Sequence, residues 1–204
     1  MTYRKVYFGS VILAVSVIIM NGCAGSSKPS EFYLLGSLST SQDAGLTTSE
    51  SKSPSVLVNP VTLPAYLDRN QIVTLAGTHK LVLNEFSRWA EPLQDNFYRV
   101  LVENLSLLLN TPKVFTFERR GSVPTNFQVV IDVTRFDTTA GKDACLIAFW
   151  TVFGKERGSQ LMQKKSVFHA SVTSTGTTGA VDALNRLLAE FSRDIAAEIQ
   201  TLNQ

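Results

Sequence analysis

Between Thr178 and Leu202 the apolar residues Val181, Leu184, Leu188, Phe191, Ile195, Ile199 and Leu202 recur every three or four positions, which puts them on one side of an α-helix. Asp182, Arg186, Glu190, Arg193, Asp194 and Glu198 fall on its other faces. A stripe this long must be buried along its whole length, and a coiled-coil seam or a β-sheet can do it. Docking on a sheet is the expectation, because one such helix can cover several strands.

A second stripe, Leu93, Phe97, Val100, Leu101, Leu105 and Leu108, follows the segment Arg88-Trp89-Ala90-Glu91-Pro92. Pro92 suits a first helical position, and it holds Glu91 extended. Glu91 and Asp95 place negative charge at the positive end of the helix dipole. Asn110-Thr111-Pro112 stops the helix. Two core-facing helices are therefore expected.

The rest of the chain reads as strands. Phe32-Tyr33-Leu34-Leu35 is a first short one, and Val56 to Leu63 a second, in which Pro60 argues for an edge position or a bulge. Gln71–Ala76 and Lys80–Asn84 flank a glycine-containing turn. Phe127, Val129, Ile131 and Val133 alternate with polar residues, the pattern of a sheet with one wet face. Ala144 to Phe153 is apolar on both faces, and a final strand through Ser171 turns Phe168, Ala170 and Val172 inward. The fold class expected is α+β: a mixed, largely antiparallel sheet with two long helices packed on one face, a two-layer α/β sandwich.

At the amino end, Arg4 and Lys5 precede an apolar run from Val6 to Met20, then Asn21-Gly22-Cys23, the layout of a secretory signal. The run falls short of the ~20 residues a bilayer-spanning helix needs. Of the 19 Lys and Arg, only Arg4 and Lys5 precede Cys23, leaving 17 against 17 acidic residues. A neutral mature chain gives no reason to expect a nucleic-acid partner. The expected organisation is a signal peptide over 1–22, Cys23 with a flexible tether to residue 30, and one domain over 31–204 with a Ser/Thr-rich mobile loop at 37–55. With Cys23 at the cleavage site, Cys145 has no partner for a disulfide and reads as a buried, inert thiol.

Chemistry is hard to find. No Gly-x-Ser-x-Gly occurs, and His79 and His169 fall at a turn and on a wet strand face. Gly141-Lys142 is followed by Asp143, which fits no phosphate loop. No His, Cys and carboxylate cluster at metal-ligand spacing. No enzyme, no cofactor and no metal are expected.

Met20, Gly22 and Cys23 resemble a bacterial lipobox, with Met in the place of the usual Leu and Asn21 where a small residue is commoner. With Phe32-Tyr33-Leu34-Leu35, Leu63-Pro64-Ala65-Tyr66-Leu67-Asp68-Arg69, Trp89-Ala90-Glu91-Pro92-Leu93 and the last helix, the chain resembles the ABC-type transport auxiliary lipoproteins, paraquat-inducible protein C type. The resemblance implies lipidation at Cys23, where several acyl chains make a stable anchor. Ala24, rather than Asp, leans toward the outer membrane of a Gram-negative envelope, facing the periplasm. It further implies a non-catalytic subunit of an intermembrane phospholipid transport system that tethers or receives a protein with mammalian-cell-entry (MCE) domains. The alternative is a stand-alone lipoprotein that itself holds a lipid or another apolar ligand. The turn at Tyr66, Asp68 and Arg69 is either plain architecture or the docking surface for the transport partner. Self-association, in a ring, is one way to cover the two-sided strand Ala144 to Phe153; the loop at 37–55 folding back is the other.

Overall fold

The computed structural model describes residues 28–38, 53–119, 121, 123–156 and 158–204. The signal segment, Cys23 and most of the Ser/Thr-rich loop lie outside the described residues. The longest strands carry the alternation seen in the sequence: β6 (Phe127–Thr139), β7 (Asp143–Phe153) and β8 (Gln160–Ser171) form an antiparallel meander. The other strands are β1 (Glu31–Tyr33), β2 (Val56–Val58), β3 (Gln71–Ala76), β4 (Lys80–Trp89) and β5 (Val114–Thr116). The helices are α1 (Leu93–Leu108) and α2 (Gly176–Leu202). The eight strands make one mixed sheet in which the long ladders are antiparallel.

One edge of β6 is wholly taken by β7, while the other is shared between β2 at residues Phe127–Val129 and β3 at Thr138–Thr139. A bulge at Thr134 resets the alternation of β6, so that Val133 and Phe136 both turn inward and Arg135 and Asp137 turn outward. Phe136 then meets Phe97 of α1 edge to face at 5.1 Å. α2 lies against β6, β7 and β8 and beside α1, so its stripe docks on the sheet as its length requires. Phe191 sits edge to face on Trp150, and both are fully buried. This is the two-layer α/β sandwich expected from the two stripes.

Several local expectations shift. The second strand ends at Val58 and lies inside the sheet, parallel to both β5 and β6, so Pro60 is not at an edge. Beyond it, the amides of Asn59 and Thr62 donate to Val129 and Ile131, and Pro60 falls between those donors, where its missing N–H leaves no gap in the ladder. The fourth strand runs on from Asn84 to Trp89, with a register shift opposite Gln71 and Ile72. Pro92 caps α1 rather than opening it, with Leu93 as first helical residue. The helix stops where Asn110 takes a φ of 48°.

Candidate partner-docking site

The chain leaves β2, passes one bridge at Thr62 with Asp132, and folds into a 3-10 turn at Ala65–Leu67 before entering β3. Leu67 is buried and anchors the turn in the core. Its amide donates to the Pro64 carbonyl, and those of Asp68 and Arg69 donate to Ala65 and Leu67. The Arg69 Nε donates to the Tyr66 carbonyl at 2.8 Å, closing the turn from outside.

Tyr66 ties the turn to the sheet. Its hydroxyl donates to Asp137 Oδ2 at 2.6 Å, and the other oxygen of that carboxylate accepts from Arg135 Nε at 3.0 Å. Asp137 is only 3% exposed, so both bonds form where water competes little. Burial, then the bond to the Asp137 carboxylate, pushes the Tyr66 hydroxyl well above its ordinary range. Cys145 stands opposite Asp137 on β7; burial pushes its thiol up, and the group is a packed, protonated side chain at neutral pH.

Of the three turn residues singled out in the sequence, Tyr66 is half-buried and committed to Asp137, whereas Asp68 and Arg69 are exposed. They form one wall of a cleft of about 440 Å³ whose other wall is Pro92, Leu93, Gln94 and Asp95 at the start of α1. The turn after β2 and the start of α1 thus meet in space. Trp89 is buried, and Glu91 pairs with Arg99 of α1. His79 and His169 are exposed; His169 Nδ1 lies 3.9 Å from Asp143. Among the described residues no group of His, Cys, Asp and Glu could hold a metal ion, and no helix is long and apolar enough to cross a membrane.

Residues 34–38 form a feature that no periodicity announced. They lie as a strap on the helices, with the Leu35 amide donating to Asn96 Oδ1, that of Gly36 to Asn185 Oδ1 and that of Leu38 to Asn104 Oδ1. The signal available was Asn96 and Asn104 themselves, two polar residues eight apart among the apolar positions of one helix face.

The sequence profile of the family described as "ABC-type transport auxiliary lipoprotein component" matches residues 36–196. The chain belongs to this family. The family is one of non-catalytic accessory lipoproteins of transport systems. No protein of curated function matches the chain. Among solved structures, an uncharacterized protein superposes with a TM-score of 0.68 at 20% identity, over 84% of this chain and 99% of its own. A protein from Xanthomonas campestris superposes with a TM-score of 0.66 at 15% identity, over 82% and 93%. At such identities the likeness is one of fold.

Proposed function

We propose that this auxiliary lipoprotein, of the paraquat-inducible protein C type, is acylated at Cys23, faces the periplasm from the outer membrane, and tethers or receives an MCE-domain protein that moves phospholipid between membranes. The observation that carries the reading is the family match over residues 36–196, which covers the strands from β2 to β8, all of α1 and most of α2. The turn geometry supports the docking part. A surface that recognises a partner works best when ordered beforehand, and Leu67 and the Tyr66–Asp137 bond order this turn while Asp68 and Arg69 stay exposed beside the cleft.

Self-association into a ring around the end of the transport path belongs to the same proposal. The outer face of the meander keeps Val130, Phe149 and Val167 between 37% and 48% exposed, an apolar strip that neighbouring copies would cover.

The test is a pull-down from membranes through a carboxy-terminal tag, with identification of protein and lipid in the eluate. An MCE-domain protein should co-purify with the wild type and be lost from Asp68→Ala, Arg69→Ala, while the thermal midpoint of the double variant stays within a few degrees. Recovery of lipid without any MCE-domain protein sinks the tethering role, and full recovery by the double variant moves docking elsewhere.

A further inference from the structure

Three large apolar side chains stand exposed together where the chain enters the domain: Phe32 at 65%, Leu34 at 49% and Phe86 at 40%. β1 pairs in parallel with β4, placing Phe32 opposite Arg88 and Tyr33 opposite Trp89. Paired residues share a face of the sheet, so Tyr33 and Trp89 turn toward the helices and Phe32 turns the other way with Arg88. Phe86, two residues before Arg88, belongs to that same outer face by alternation, and Leu34 stands exposed one residue past the end of β1. The result is an aromatic and aliphatic patch at the β1 end of the sheet.

Lys28, Arg88 and the carboxylates of Glu31 and Glu85 stand around it, Glu85 exposed beside Phe86. The Tyr33 hydroxyl donates to Glu31 Oε2 at 2.7 Å, drawing that carboxylate to the helix-side face. Lys28 is exposed just before β1, and Arg88, with its Nε on the Glu85 carbonyl, lies within the patch. Apolar groups flanked by cations suit a phospholipid surface, where rings and aliphatic groups sit at headgroup depth and cations meet phosphate.

Chain length says which surface lies within reach. Resting on the anchor proposed at Cys23, the five residues from there to Lys28 extend at most about 17 Å, so the chain enters the domain within short reach of the bilayer.

We propose that Phe32, Leu34 and Phe86 form a membrane-contact surface that rests in the headgroup layer of the membrane holding the acyl chains, setting the orientation of the domain rather than leaving it free on its tether. The outer face of β1 and β4 then turns to lipid, and β8, at the far end of the sheet, points into the periplasm.

The experiment uses the full acylated chain in vesicles of phosphatidylethanolamine and phosphatidylglycerol with brominated acyl chains, which quench tryptophan on contact. Phe32→Trp is compared with Leu161→Trp on β8, a position 42% exposed in the wild type, taking the emission of buried Trp89 and Trp150 as background. Quenching of the added tryptophan is expected to be about twofold or more greater for Phe32→Trp, as interfacial burial of a ring requires, and Phe86→Trp should repeat it. Equal or weaker quenching in both overturns the surface. Intact mass reads the anchor separately: an acylated chain without the quenching difference keeps the anchor and loses this surface, whereas a chain with no acyl mass at Cys23 removes both.

Discussion

Asn96 and Leu35 exchange two hydrogen bonds: the Leu35 amide donates to Asn96 Oδ1 at 2.6 Å, and Asn96 Nδ2 donates to the Leu35 carbonyl at 3.3 Å. Asn96 is fully buried on α1, 61 positions away in sequence. An asparagine carries a donor and an acceptor on one planar group, so a single side chain serves a backbone residue as a neighbouring strand would. Asn104 does similar work one level down, accepting from Leu38 and donating to Ser192 of α2.

Replacing Asn96 therefore breaks a long-range clamp. In Asn96→Leu the amide and carbonyl of Leu35 lose their partner in a buried place, and each such group costs about 1–3 kcal/mol. Urea unfolding should show a loss of about 2–4 kcal/mol, with faster proteolysis near residues 36–38. A loss below about 0.5 kcal/mol would mean that water replaces the asparagine freely.

The Tyr66–Asp137 bond makes a prediction at alkaline pH. The folded state holds the Tyr66 proton more tightly than the unfolded chain, whose tyrosine titrates near 10.0. Its contribution is thus fully present below pH 10 and is lost as pH rises above it. Tyr66→Phe should cost about 1 kcal/mol at neutral pH and should fall less steeply than the wild type above pH 10. Parallel curves above pH 10 would detach Tyr66 from the alkaline transition. Tyr98, also raised by burial, stays in both proteins and cancels in the comparison.

The sandwich was legible because its two helices and its long meander are periodic: the stripe from Val181 to Ile199 and the alternation from Phe127 to Val133 each name their own inward face. What stayed hidden has no period. Nothing in the neighbourhood of Thr134 marks it as the bulge that sends Asp137 outward to Tyr66. The three-residue β2 is held between two parallel neighbours, and parallel pairing at that distance leaves no hairpin signal between Val58 and Phe127. The turn at Tyr66 was readable as a turn; that its hydroxyl is committed to Asp137 depends on a register no local pattern encodes.

Gly179 in the first turn of α2 is required by a close approach rather than by its own conformation. A Cβ built there would lie 2.1 Å from the Ser174 carbonyl oxygen, which belongs to backbone and cannot swing aside. Alanine is the better helix former, yet the clash dominates. Gly179→Ala should lower stability by about 1–3 kcal/mol and loosen the contact in which Thr177 joins Asn84 and Ser87 of β4. A stabilised variant would show that the loop before α2 yields without resistance.

Trp150, Ser166 and Asp194 link β7, β8 and α2, and Ser166 is the centre of the chain of bonds. Its hydroxyl accepts from Trp150 Nε1 at 2.9 Å and donates to Asp194 Oδ2 at 2.6 Å. Lys164 also reaches Asp194 and Glu198, at 2.7 and 2.9 Å, but its side chain is 37% exposed. Two effects thus compete for importance, a buried polar relay and a partly exposed ion pair. An indole N–H left unpaired in the core costs about 1–3 kcal/mol, whereas an exposed ion pair contributes at most about 1. Ser166→Ala should accordingly destabilise by about 2 kcal/mol, and Lys164→Met by less than about 1. A double-mutant cycle separates the relay from simple loss of volume: once Trp150→Phe has removed the indole donor, Ser166→Ala should cost about 1 kcal/mol less than it does alone. Additive losses would mean that the serine holds Asp194 only, and that the indole nitrogen finds its partner elsewhere when Ser166 is gone.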